Sequence, residues 1–126
     1  CQSAEYHKRL VGYESVDTFV KDGMVIGLGT GSTAYFAAER LSQLIKKGSL
    51  LRIKVIPCSQ MMKNQCIGMN IPIVELSDKH PVDLMIDGAN EVDLKLNLIK
   101  GGRYISEIYI KLFTYIYIYI YANILI

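Results

Sequence analysis

The feature that most limits what this chain can fold into is a short apolar run broken by glycines and followed at once by a helical pattern. Met24-Val25-Ile26-Gly27-Leu28 is continuously apolar, as expected of a strand buried on both faces. Gly29-Thr30-Gly31-Ser32-Thr33 comes next. Ala34, Ala37, Ala38, Leu41, Leu44 and Ile45 then repeat at helical spacing, and Lys46-Lys47-Gly48 closes the helix with cations at the negative end of its dipole. Strand, glycine loop and helix in that order make an α/β unit. Such a loop can hold an anion, because small residues let backbone N–H groups converge at a helix N-terminus. Thr30, Ser32 and Thr33 add hydroxyls, and Ser32 or Thr33 is expected to cap the helix. The bland alternative is a tight turn with no ligand.

The rest of the chain continues the alternation. Leu10, Tyr13, Val16, Phe19 and Val20 mark a helix over residues 5–21, ended by Asp22-Gly23. Ile53 to Pro57 reads as a strand, residues 59–68 as a helix with Ser59 at its N-cap, and Ile71 to Leu76 as a third strand with Pro72 near its start. Asp83 to Ile86 is a fourth, ending on Asp87-Gly88-Ala89-Asn90-Glu91. The expected fold is a Rossmann-like, mostly parallel sheet with flanking helices, forming an incomplete domain.

Two familiar phosphate binders fail on inspection. A dinucleotide G-x-G-x-x-G needs glycine where Ser32 stands and an acidic residue about 20 positions on, where Ser49-Leu50-Leu51-Arg52 occurs. A nucleotide P-loop needs a lysine that this loop lacks. A small phosphorylated ligand is left. Asp87 and Glu91, at the C-terminal end of a buried strand, can exchange protons with hydroxyl groups; a polar turn with capping carboxylates is the plainer reading. Lys100, beside Gly101 and Gly102, could stabilise an enediolate, although alone it reads as a solvated lysine.

Other features narrow the class. The formal charge of +2, from 14 basic and 12 acidic residues spread along 126 positions, offers no nucleic-acid footprint. Cys1, Cys58 and Cys66 form no CxxC pair, so they read as reduced thiols rather than disulfide or metal ligands, and no metal site is expected. His7 and His80 read as surface or structural residues, and Met61 and Met62 as ordinary positions on a short helix. No secretory signal is recognisable at the start. Residues 1–103 read as the α/β unit. Residues 104–126 are set apart as a low-complexity tail, not native to the fold, that carries six of the nine tyrosines and no glycine or proline. Its uncharged stretch from Leu112 to Ile126 is shorter than the about 20 residues a membrane helix needs. A TA dinucleotide repeat read in frame would encode its alternating Tyr and Ile.

Taken together, GMVIGLGTGSTAYFAAERL, IPIVEL and HPVDLMIDGANEVDLKLNLIKGG resemble the type A ribose-5-phosphate isomerase family in a plant-like form, from about His7 to Gly102. The resemblance covers about the first half of a family member. It implies interconversion of ribose 5-phosphate and ribulose 5-phosphate in the non-oxidative pentose phosphate pathway, with no metal or organic cofactor. Ring opening, removal of the C2 proton to a cis-enediol and return of a proton at C1 are the implied steps. Thr30, Gly31, Ser32 and Thr33 match the family's phosphate- and substrate-binding loop, with Gly29 leading into it and Lys8 matching a basic residue nearby. Asp87 matches a carboxylate for ring opening or hydroxyl proton transfer, followed by Gly88, Ala89 and Asn90 at the substrate. Lys100 matches the enediolate-stabilising lysine, and Gly101 and Gly102 its neighbours. Two departures stand out: Asn90 replaces a second aspartate, and Tyr109 stands where the family has its general-base glutamate. Glu107, two residues early, is not assigned that role. The alternative function is a non-catalytic sugar-phosphate-binding protein. The family suggests a homo-oligomer in the cytoplasm, or in a plastid if a transit peptide precedes the sequence, with a sugar phosphate, not a membrane or nucleic acid, as partner.

Overall fold

The structure is a computed structural model and describes residues 2–77, 81–89, 91–92, 98–99 and 118–122. Helix α1 (Gln2–Phe19) leads into strand β1 (Val25–Leu28), helix α2 (Ser32–Lys46), strand β2 (Lys54–Pro57) and helix α3 (Gln60–Gly68). Strand β3 (Leu84–Ala89), the short strands β4 (Glu91–Val92) and β5 (Leu98–Ile99), and strand β6 (Ile118–Ala122) follow. The main sheet has the order β2-β1-β3-β6, and every pairing in it is parallel. β4 and β5 pair antiparallel on their own. This is the α/β architecture that the alternating pattern predicts. Of residues 104–126, the described part is β6, and it lies in the sheet beside β3.

Strand β1 is apolar and buried throughout because both faces of the sheet are covered there. Ile26 and Leu28 of β1, Val55 of β2 and Leu84 and Ile86 of β3 form one core with Val16 of α1, Ala34, Ala37, Ala38 and Leu41 of α2, and Met62 and Cys66 of α3. On the opposite face Val25, Ile56 and Met85 pack with Cys58, Val82, Val74 and Leu76. All three helices therefore pack on one face.

Three expectations need correction. Ile71 to Leu76 is not a strand: its contact with β2 is an isolated parallel bridge between Val55 and Ile73. Val55 N–H donates to Pro72 O at 2.9 Å and Val74 N–H donates to Val55 O at 2.9 Å, but Pro72 has no N–H with which to extend the ladder. Asp87, Gly88 and Ala89 do not follow the fourth strand; they belong to β3, because β6 pairs with it from Met85 to Ala89. Finally, Leu10 is 48% exposed, although its spacing places it on the apolar face of α1. The buried line of α1 runs instead through Gly12, Ser15 and Val16. A Cβ at Gly12 would lie 2.8 Å from Ala37 N and 2.9 Å from Thr33 O, so the missing side chain lets α1 approach the backbone of α2.

The other end of the sheet is tied by aspartates. Asp83 accepts a hydrogen bond from Val25 N–H at 2.7 Å. Asp22, past the end of α1 and before Gly23 (φ 86°), accepts from Leu51 N–H at 2.9 Å and Arg52 N–H at 2.7 Å. These backbone donors hold its carboxyl below the usual carboxylate range. Among the described residues no helix is long and apolar enough to cross a membrane.

Candidate active site

The site is built where β1 and β3 end side by side. Their parallel register pairs Leu28 with Ile86, which brings the next residues, Gly29 and Asp87, together. Gly29 N–H donates to Ile86 O at 2.9 Å, so this donor is committed to the sheet and not to a ligand. A Cβ built on Gly29 would overlap the carboxyl group of Asp87, whose Cγ, Oδ1 and Oδ2 are the three nearest atoms. Asp87 is only 2% exposed, and its Oδ1 accepts a hydrogen bond from Gly88 N–H at 2.8 Å. The glycine loop and the aspartate cluster, separate in the sequence, are thus one place.

Beyond Gly29 the loop opens outward. Gly29 is buried, Thr30 and Thr33 are half-buried, and Gly31 and Ser32 are exposed. Neither Ser32 nor Thr33 caps α2. The N-cap is Gly31, with φ 107° and ψ 172° and no side-chain cap bond, a backbone conformation that is essentially restricted to glycine. Ser32 is the first helical residue, and a capping hydroxyl must come from the non-helical residue before the first turn. A Cβ at Gly31 would meet nothing within 4 Å. The first-turn N–H groups, which have no partner inside a helix, therefore begin at an open mouth, where the helix dipole favours negative charge.

Lys8 is half-buried on α1, one turn before Gly12 and on the same helical face. The two helices run alongside one another in the same sense. The Arg9 guanidinium lies 5.2 Å from the centre of the Phe36 ring, Gln43 Nε2 donates to Tyr13 Oη at 2.9 Å, and Arg40 Nε meets Asp17 Oδ1 at 2.7 Å.

Gly88 and Ala89 follow Asp87 within β3. Asn90, Lys100, Gly101 and Gly102 lie outside the described residues, as do His80, Glu107 and Tyr109. The β4–β5 pairing sets Ile99, the residue before Lys100, opposite Glu91. Among the described residues no three His, Cys, Asp or Glu side chains gather as a metal site. Cys58 and Cys66 are buried, and burial pushes the Cys66 thiol up to about 11, so Cys66 is protonated and inert at neutral pH. Sequence reasoning missed Gly12, which sets the approach of α1 and hence of Lys8. A lone glycine inside a helical pattern was the available signal.

The model of the family described as ribose 5-phosphate isomerase A (phosphoriboisomerase A) matches residues 54–113. The probable ribose-5-phosphate isomerase 1 of Arabidopsis thaliana is 52% identical over 95 residues, covering 75% of this chain and 35% of that protein. The chain belongs to the ribose 5-phosphate isomerase A family. Solved structures agree with this membership. The ribose 5-phosphate isomerase from Plasmodium falciparum matches with a TM-score of 0.75 and 41% identity, over 78% of this chain and 42% of that one. A D-ribose-5-phosphate isomerase in complex with phospho-erythronic acid matches with a TM-score of 0.74 and 41% identity, over the same shares. The family match runs past Arg103, and the chain spans 35% to 43% of the length of curated relatives.

Proposed function

We propose that this chain carries the phosphate loop and one acid of a ribose-5-phosphate isomerase site, binding D-ribose 5-phosphate for interconversion with D-ribulose 5-phosphate. The observation that supports the reading is the contact of the Asp87 carboxyl with Gly29, a buried acid beside the glycine loop that starts α2. A sugar phosphate is about the size that spans both: its phosphate meets the α2 start while its hydroxyls reach Asp87. The solved isomerase that holds phospho-erythronic acid, a phosphorylated sugar acid, supports this ligand class. In the proposed chemistry Asp87 exchanges protons with the sugar hydroxyls during ring opening, and Lys100 stabilises the enediolate formed when a solvent base takes the C2 proton.

Tyr109 stands at the place of the family's general base, so the chain holds substrate but turns it over slowly in this reading. Calorimetry with ribose 5-phosphate, paired with hydrogen isotope exchange at C2, tests both statements. Binding heat with slow exchange is the expected result. No heat at millimolar ribose 5-phosphate would sink the proposal, and rapid exchange would show that another group serves as base. The relatives and solved structures matched are named as isomerases, which disfavours a purely non-catalytic binder.

A further inference from the structure

We propose that Gly29 is a positioning residue for Asp87, rather than part of the surface that holds phosphate. This rests on the isomerase reading for its consequence, but not for its geometry. Two glycines of the loop are required for different reasons. Gly31 has a positive φ of 107° and open space around it, so its need is conformational. Gly29 has no such backbone angle, and what bars a side chain there is the carboxyl group of Asp87. Its N–H donates to Ile86 O, the carbonyl immediately before Asp87, so loop and strand are pinned to one another next to the carboxyl. Gly88 N–H then fixes Oδ1 at 2.8 Å. The carboxyl rests on the Gly29 backbone. A side chain at Gly29 displaces the acid without touching the open mouth at Gly31, so ligand selectivity shifts from sugar hydroxyls towards bare phosphate.

A mutant cycle on the full chain tests this. Gly29→Ala is expected to lower the urea midpoint, and the same change in an Asp87→Ala background should cost roughly half as much or less, because the atoms it strikes are gone. Should Gly29→Ala alone fail to fold, recovery of folding in the double variant is the same result. An equal cost in both backgrounds overturns the proposal, as does a double variant that fails to fold while Asp87→Ala folds. A second readout separates positioning from packing. In Gly29→Ala the affinity for ribose 5-phosphate should fall roughly ten- to hundredfold, as in Asp87→Ala, while that for inorganic phosphate stays within about twofold. Equal loss for both ligands, or no loss for either, overturns the assignment. Should the unaltered chain bind no ribose 5-phosphate, the isomerase reading fails, and the stability cycle still decides the Gly29–Asp87 contact.

Discussion

Helices α2 and α3 start at the same end of the sheet, each after a parallel strand, and they start in opposite ways. α3 is closed by its own sequence: Ser59 takes an extended backbone and its Oγ accepts Met62 N–H at 3.0 Å. α2 is left open, with a glycine at the N-cap and no side-chain cap bond. Hydroxyls stand at both starts, Ser59 before α3 and Ser32 and Thr33 in the first turn of α2, so the difference is not whether one is present. It lies in which residue occupies the position before the first turn. A helix start capped by its own chain has less to offer an anion, and the structure leaves the uncapped one beside Asp87.

The strongest way to break this comparison is to change the open cap. Gly31→Ala forces a side chain into a backbone region that costs about 1–3 kcal/mol, and the loop must rearrange to relieve it. Urea denaturation should show the loss, and calorimetry should show inorganic phosphate binding weakened with it. Unchanged stability would mean that the loop does not hold this conformation in solution. Gly12→Ala comes next. It intrudes on the backbone of α2 at Thr33 and Ala37, costing about 1–3 kcal/mol, while the better helix propensity of alanine returns about 1. A net loss of stability is expected. A gain would show that α1 does not sit this close to the first turn of α2.

Ser59→Ala sharpens the comparison from the other side. Loss of a serine N-cap costs about 1 kcal/mol. Phosphate affinity should not change, since this start is not the one left open. A parallel fall in affinity would indicate that both helix starts serve the ligand.

These substitutions also show where the sequence was readable. The Ser59 cap and the strand–loop–helix order are local, set by neighbours within a few residues, and the structure shows both. The cap of α2 was misread because hydroxyls at Ser32 and Thr33 look like caps until the backbone of Gly31 is known. The extension of β3 through Asp87 depends on β6, more than 25 residues away, and the burial of Gly12 in place of Leu10 depends on how two helices cross. Of the candidate site, the aspartate and the loop were both recognisable, but not their contact. Parallel register across a crossover carries no local signature.

The smallest effect concerns the opposite end of the sheet, where a carboxylate does for a loop what the N-cap glycine has no side chain to do for α2. Asp22 accepts the backbone N–H groups of Leu51 and Arg52, which lower its affinity for a proton. Its folded value lies below the unfolded one of about 4, so its contribution to stability is present above that pH and is lost as pH falls through the folded value. Asp22→Asn removes the titration while keeping an oxygen that can accept. Stability curves of the two proteins should therefore differ modestly at neutral pH and converge on acidification, with ribose 5-phosphate affinity equal throughout at neutral pH. A gap that widens below pH of about 4 would reverse the sign and place the linkage on another group. A change in affinity would mean that the two ends of the sheet are coupled, and the open start of α2 would then depend on more than the glycine that caps it.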